Sequence, residues 1–307
     1  MSAPNVNIAL VTYNRLDLTK ICLEALFAKT RGNFTANIID NGSNDGTRGY
    51  LEQVAANEPR ARVTFLGANR GLTVARNQAW DSQPADYYAV MDNDIRVHDP
   101  DWLLKLTGFL DRNPEVGMAA YHLANWSHRY EETTLPSGDR YVDSDLCNGG
   151  CAMIRRREFD NFGFWNEDYG KYGLEDMDYC LRLALKGLRV GYLGLRSREV
   201  EHMGYDEEFW DDERETQKIA VVKREYQGER MYNINRFLFS QGIRPLYVPR
   251  KYLPQQTENG VVKFKINPAY LPISKLQSDF AQQVGFSADK NNTYLDLSKY
   301  KDQPEKD

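Results

Sequence analysis

Two groups of carboxylates carry most of the chemistry that this sequence offers. Asp92-Asn93-Asp94 follows the apolar run Tyr88-Ala89-Val90-Met91. Carboxylates two residues apart at a strand end share a face, with the intervening side chain turned away. Two hard oxygen donors suit Mg²⁺ or Mn²⁺, above all a cation also held by a ligand's phosphates. The plain alternative for such a triplet is a solvated turn. The second group is Glu175-Asp176-Met177-Asp178, at the start of a helical pattern. Helical spacing sets Glu175 and Asp178 on one side and Asp176 on another. Acids in a first turn also complement the helix dipole, which is the bland explanation. His202 ends a short strand-like segment. Imidazole is a common ligand for divalent metals, although a lone histidine is more often structural.

Smaller signals surround these groups. Residues 69–77, Asn-Arg-Gly-Leu-Thr-Val-Ala-Arg-Asn, open a helix after a strand. Helix N-termini bind anions, and Arg76 could reach a phosphate; capping plus a surface arginine is the alternative. Asn148-Gly149-Gly150 precedes a strand. Paired glycines permit close backbone approach to a ligand, or form a turn.

The elements that must position these residues alternate regularly. Residues 6–11, 37–40, 62–66 and 87–91 read as strands, and 16–29, 47–56 and 72–80 as helices. That order predicts parallel strands with crossover helices. Ligands of open α/β sheets bind beyond the carboxyl ends of the strands. The clusters Thr12-Tyr13-Asn14-Arg15, residues 40–46 and Asp92–Asp94 each follow a strand directly, so all three are expected on one sheet edge. Further on, 99–113 and 174–186 read as helices, and 116–121, 151–154, 189–193 and 197–202 as strands. Residues 122–146 read as irregular. Residues 1–205 are expected to form one domain and 206–307 a helical and irregular C-terminal extension. Within the extension, 207–215 is acidic and 216–240 has a helical pattern.

Composition narrows the classes. The chain has 307 residues, 41% of them hydrophobic and 27% charged, so it can build a packed core and is not globally disordered. Its formal net charge of −5 does not suit retention of nucleic acid by bulk charge. No apolar run has the length of a membrane span, and residues 1–5 do not read as a signal peptide. Cys22, Cys147, Cys151 and Cys180 include no CxxC pair, which argues against a structural zinc site and for a reducing compartment. Asn41-Gly42-Ser43 is formally a glycosylation acceptor, but it lies in a loop expected to bind ligand. A cytoplasmic protein, with peripheral membrane association as a further option, is therefore expected. The motifs of simple dinucleotide enzymes, P-loop NTPases, zincins and serine hydrolases are absent.

In order and spacing, these motifs resemble family 2 glycosyltransferases of the GT-A fold. The matching segments are 9–15, 39–47, Asn69-Arg70-Gly71 with Ala75-Arg76-Asn77, 91–94, 148–150, and 173–178 with Cys180-Leu181-Arg182. The resemblance implies an α/β fold with a Rossmann-like, mixed but mostly parallel sheet flanked by helices. It implies a metal-dependent, inverting transfer of a sugar from a nucleotide-diphosphate donor, a UDP-sugar first, to an acceptor hydroxyl. Thr12, Tyr13, Asn14, Arg15, Asp40, Asn41, Ser43, Asn69, Gly71, Arg76, Asp92, Asn93, Gly149 and Gly150 would surround the donor. Asp94 and His202, with Asp92, would hold Mn²⁺ or Mg²⁺. Asp176 would be the catalytic base, with Glu175 its close competitor.

The chemistry is coherent on its own terms. A departing diphosphate gathers negative charge while the anomeric carbon becomes oxocarbenium-like. A cation stabilises the first, and a carboxylate on the opposite face takes the acceptor's proton. The competing readings are a nucleotidyltransferase of related fold, which usually needs a glycine-rich basic loop absent from residues 6–20, and a silent nucleotide-sugar-binding module. The acceptor would be a glycan, a lipid-linked glycan or a hydroxylated nucleobase in DNA. Arg244, Tyr247, Arg250, Lys251, Tyr252, Lys263 and Lys265 give the extension a basic, aromatic character that could meet a polyanion, or serve packing or a homodimer contact. The acidic stretch 207–215 could be a lid or a connector.

Overall fold

A computed structural model describes residues 4–123, 131–147, 150–171, 173–194, 197–203, 228–229, 231–255, 257, 260–273 and 275–276. Gly149, the acidic stretch 207–215 and the first part of the expected helix 216–240 lie outside these residues; 231–240 is helical. The elements run β1 (Asn5–Thr12), α1 (Leu16–Lys29), β2 (Asn33–Asp40), α2 (Thr47–Asn57), β3 (Ala61–Phe65), α3 (Leu72–Trp80), β4 (Tyr87–Asp92), β5 (Ile95–Val97), α4 (Trp102–Arg112) and β6 (Val116–Ala120). They continue with β7 (Glu132–Thr134), β8 (Arg140–Asp143), β9 (Cys151–Arg155), α5 (Arg156–Phe162), a 3-10 turn (Glu167–Tyr169), α6 (Glu175–Ala184), β10 (Arg189–Tyr192), β11 (Val200–His202), β12 (Tyr252–Pro254) and β13 (Phe264–Ile266).

Nine strands form one sheet in the order β3-β2-β1-β4-β9-β6-β10-β8-β7. The first four are parallel, as strands joined by crossover helices must be. β9 runs antiparallel between β4 and β6. Apolar side chains of β1 alternate between two cores. Val6, Ile8 and Leu10 belong to the core shared with α1 and α4, whereas Ala9 and Val11 belong to the core shared with α3 and Trp165. A sheet buried on both faces explains why these strands read as continuous apolar runs.

Register decides what reaches the rim. Thr12 pairs with Asp40 and Val11 with Asp92, so β1, β2 and β4 end at one level. The expected convergence of the three polar clusters is a direct result.

Several elements differ from expectation. β2 begins at Asn33, because Asn33-Phe34-Thr35 pairs with Asn5–Asn7 despite its polar residues. Residues 122–146, expected to be irregular, contain the β7–β8 hairpin, whose strand β8 pairs with β10. The helix expected from 99 starts at Trp102, because the Asp99 side chain accepts the Asp101 N–H instead. α6 starts at Glu175, because Leu174 is left-handed (φ 58°). Residues from the part expected to be an extension pack on the sheet: Val261 bridges to Phe65 and Val248 to Gly163, and Leu238, Phe239, Val248 and Val262 are buried.

A buried amide closes α3 onto the sheet. Asn7 Nδ2 donates to the carbonyls of Ala79, Trp80 and Gln83 at 3.1, 3.3 and 3.2 Å, and its Oδ1 accepts from Asn37 at 2.8 Å. Asn7→Ala strands these groups without water. It should cost about 2–3 kcal/mol, read as a lowered urea midpoint with unchanged slope.

Candidate active site

Three loops at the sheet edge are stitched to one another. Asn14 and Arg15 both adopt left-handed backbone (φ 57° and 60°), which turns the chain sharply off β1. The Asn14 N–H donates to Ser43 Oγ at 2.8 Å, and Asn14 Oδ1 accepts the Asn44 N–H at 2.9 Å. Asp40 Oδ1 accepts the Ser43 N–H at 3.0 Å. Asn41 donates to Asn69 Oδ1 at 3.1 Å and accepts the Arg70 N–H at 2.8 Å. Asn41, Ser43 and Asn69 therefore shape the rim through polar atoms used between loops. Tyr13 stands out into solvent, 45% exposed.

Two residues expected around the donor turn inward instead. Thr12 and Asn93 are buried, and their side chains meet Thr19: the Asn93 amide donates to Thr12 Oγ1 at 3.3 Å and to Thr19 Oγ1 at 2.9 Å. The turning-away of the middle residue is the ordinary consequence of strand alternation, and it sends Asn93 into the core. Gly71 also serves the protein itself. A Cβ there would lie 2.5 Å from the Gly170 carbonyl oxygen, so the close approach it permits is to the loop before α6. The Leu72 N–H completes that contact, donating to the Lys171 carbonyl at 3.0 Å. Gly150 sits against Asp92: its carbonyl accepts the Asp92 N–H at 2.9 Å, and its Cβ position is 3.5 Å from Asp92 Oδ2.

Arg76 joins the two carboxylate groups. Its guanidinium donates to Asp92 Oδ1 at 3.1 Å and to Glu175 Oε1 at 3.3 Å, and lies 5.1 Å from the centroid of the Trp165 ring. The side chain is 3% exposed. Asp92, Asp176 and Glu175 hold the arginine's pKa above its ordinary value against the opposing effect of burial. Asp92 and Glu175, 83 positions apart in sequence (175 − 92), thus share one cation in one site.

The acids of α6 divide their work. Glu175 is buried, and its Oε2 accepts the Gly173 N–H at 3.1 Å. Burial, reinforced by Asp176 and opposed by Arg76, pushes its carboxyl up to about 7. Asp176 is half-buried, and its Oδ1 accepts the Met177 N–H at 2.8 Å. Asp178, expected beside Glu175, is fully buried with Arg182, Asn166 and Tyr169 and belongs to the core.

Asp94 offers a place for a cation. It is 5% exposed, and its Oδ1 is buried with no hydrogen-bond partner among the described residues. His202 Nε2 lies 3.5 Å from that oxygen, brought there by the pairing of β11 with β5. Arg15 donates to the other oxygen, Oδ2, at 3.3 Å. Burial and the neighbouring Asp92 raise the Asp94 carboxyl, while His202 and Arg15 pull it down. The donor set, one carboxylate oxygen and one imidazole nitrogen, fits a divalent cation whose remaining ligands are oxygens of a bound molecule and water. Among the described residues no three His, Cys, Asp or Glu side chains are grouped to hold a metal by themselves. Asp92, expected with Asp94 and His202, turns its Oδ1 to Arg76.

Sequence reasoning quoted Asn77 in a motif without a role and missed Asn166 and Glu167; together these residues fix the loop before α6. Asn77 Nδ2 donates to Glu167 Oε1 and to the Trp165 carbonyl, both at 2.8 Å. The acids of Asn166-Glu167-Asp168, so near Glu175, were the available signal.

A nine-stranded sheet with a parallel N-terminal half, a carboxylate pair at the end of β4 and an acidic helix start define a GT-A-type α/β protein. Glycosyl transferase family 2 matches the chain over residues 7–163, and the chain belongs to that family. Solved structures share the fold. The mannosyltransferase PcManGT from Pyrobaculum calidifontis, in complex with GDP-Man and Mn²⁺, superposes with a TM-score of 0.51 at 18% identity, over 64% of this chain and 59% of that one. GalNAc-T7 with UDP, GalNAc and Mn²⁺ gives 0.52 at 12% identity, over 66% and 44%. The uncharacterized protein y4gI of Sinorhizobium fredii (strain NBRC 101917 / NGR234) is 23% identical over 60% of this chain and 23% of its own length. The chain spans between about a quarter and about a half of the first curated relatives it matches.

Glu175 makes a signed prediction. Its folded carboxyl lies above its ordinary value of 4.5, so the folded chain binds that proton more tightly than the unfolded chain. Its contribution is fully present below pH 4.5 and is lost as pH rises through about 7. Urea midpoints measured across this interval should fall less steeply with rising pH in Glu175→Gln than in the native chain. Gly71→Ala should cost about 2 kcal/mol or more, because the methyl meets backbone at a positive φ of 96°.

Proposed function

We propose that the protein is a metal-dependent, inverting glycosyltransferase that moves a sugar from a nucleoside-diphosphate donor, a UDP-sugar first, to an acceptor hydroxyl. One observation carries the reading: Arg76 is shared between Asp92 of the strand-end pair and Glu175 of the helix-start pair. A cation-binding carboxylate pair and a proton-accepting one therefore adjoin a common site, which the two halves of the reaction require.

Asp94 and His202 would hold Mn²⁺ or Mg²⁺, and Asp92 would face the donor beside them. The bound metal would offset the charge that collects on the departing diphosphate. Asp40, at the end of β2, would accept a hydrogen bond from the base. Asp176 is the base for the acceptor: it is less buried than Glu175 and stands on the same helical turn. As the acceptor oxygen bonds to the anomeric carbon, its proton passes to the Asp176 carboxylate. The bond from that carbon to the phosphate oxygen breaks, its electron pair stays on the diphosphate, and the centre inverts. Glu175, locked to Arg76, holds the helix start in register with β4. The fold neighbours solved with GDP-Man or UDP, each with Mn²⁺, support this class of donor and cation.

The test uses nucleotide sugars, Mn²⁺ and two variants. Asp94→Ala should abolish turnover and the metal-dependent part of nucleotide-diphosphate binding seen by calorimetry. Asp176→Asn should lower kcat by about 10²–10⁴-fold and leave that binding within about twofold. Near-normal turnover in Asp176→Asn would reassign the base. Formation of pyrophosphate from a nucleoside triphosphate and a sugar phosphate, with no nucleoside diphosphate released from nucleotide sugars, would make the protein a nucleotidyltransferase.

A further inference from the structure

The segment that leads to Asp176 bends sharply before α6. Gly170, Gly173 and Leu174 all adopt positive φ (69°, 123° and 58°), and leucine occupies that region only under constraint. The constraint comes from just upstream, where the 3-10 turn Glu167–Tyr169 is held by the C-terminal extension.

Three charged side chains make this attachment, all buried. Glu167 Oε2 accepts the backbone N–H groups of Lys251 and Tyr252, both at 2.8 Å, while its Oε1 accepts from Asn77 of α3. Arg244 donates to Asp168 Oδ2 at 2.8 Å, to Asn166 Oδ1 at 3.4 Å and to the Tyr270 hydroxyl at 3.1 Å, and it also meets Asn235. Arg250 donates to Asp81 at 2.8 Å and to Gln78 at 3.3 Å, tying the extension to the C-terminal end of α3. Glu167, Arg244 and Arg250 are each 5% exposed or less. Asn77 is the neighbour of Arg76, so Glu167 connects the extension to the helix that already joins Asp92 to Glu175. Surface packing alone would need no buried charge, whose desolvation is repaid only by full pairing.

We infer that the C-terminal extension is part of the catalytic apparatus: through Glu167 and Arg244 it positions the loop that presents Glu175 and Asp176. Glu167 and Arg244 are positioning residues and touch no substrate. The catalytic half of this inference rests on the glycosyltransferase reading; the positioning half does not.

The experiment is built to separate the two. Hydrogen exchange of peptides spanning 170–178 is measured for the native chain, Glu167→Ala, Arg244→Lys and Leu110→Ala. Leu110 is buried in α4 and is the control for a general loss of stability. Exchange in this segment should quicken by about tenfold or more in Glu167→Ala, to an intermediate extent in Arg244→Lys, and not selectively in Leu110→Ala. With UDP-sugars and Mn²⁺, kcat of Glu167→Ala should fall by about tenfold to a hundredfold while KM for the donor stays within about twofold. Arg244→Lys keeps the charge beside Asp168 and should retain part of the rate. Exchange at 170–178 unchanged in both variants, or matched by Leu110→Ala, overturns the inference. Should Glu167→Ala fail to fold, Arg244→Lys decides by the same exchange criterion. A native chain that turns over no nucleotide sugar sinks the functional reading alone, since the exchange result still reports on the loop.

Discussion

A guanidinium taken out of water is the constraint on which this site turns. Arg76 is 3% exposed, on a helix packed against β1 and β2. Removing such a charge from water costs several kcal/mol, so it is tolerable only with close partners. Two such partners are Asp92, at the end of β4, and Glu175, at the start of α6. Satisfying one arginine therefore fixes a strand end and a helix start in relation to each other. Trp165 closes the remaining face of the guanidinium, and the backbone of Trp165 is fixed by Asn77 on the next position of the same helix.

The charge balance around Arg76 then suits the proposed chemistry. Asp92, Asp94, Glu175 and Asp176 face Arg76 and Arg15, with His202 beside them. The carboxylates outnumber the guanidiniums by two, a deficit a divalent cation would fill. Burial opposes that negative charge, raising the carboxyl pKa of both Asp94 and Glu175. Neighbouring acids on one helical turn differ in character for the same reason. Glu175 is enclosed and tied to Arg76, while Asp176 is only half-buried. Enclosure suits a fixed scaffold, and exposure suits a group that must exchange a proton with an arriving hydroxyl.

Attachment of the extension continues the same logic of buried charge. Asp178 and Arg182 pair at 2.9 Å with no exposure, and Asn166 links that pair to Arg244. Polar groups thus run without a break from the extension, through the 3-10 turn, to the helix that carries the acids. Such networks are demanding, since each member must be satisfied, and they fix one arrangement where an apolar interface would allow sliding.

Much of this was legible in the chain alone. The first four strands and three helices followed from apolar periodicity, and α1 and α3 begin and end where the pattern places them. Convergence of residues 12–15, 40–46 and 92–94 followed from the rule that parallel strands end on one edge, since register there leaves no freedom. Short antiparallel pieces were not legible: β5, β7 and β8 are three or four residues long, β5 and β8 pair with β11 and β10 far along the chain, and β7 rests on β8 alone. Side-chain direction was equally hidden. Residue type marks Thr12, Asn93, Gly71 and Asp178 as site candidates, yet packing turns the first two and the last inward and uses the glycine to seat a loop. Local order in the sequence determines which residues sit at strand ends and helix starts, because period and turn chemistry are local. Which of those residues share a cation, which are enclosed and which stay open is a matter of long-range contact, and only the tertiary structure decides it.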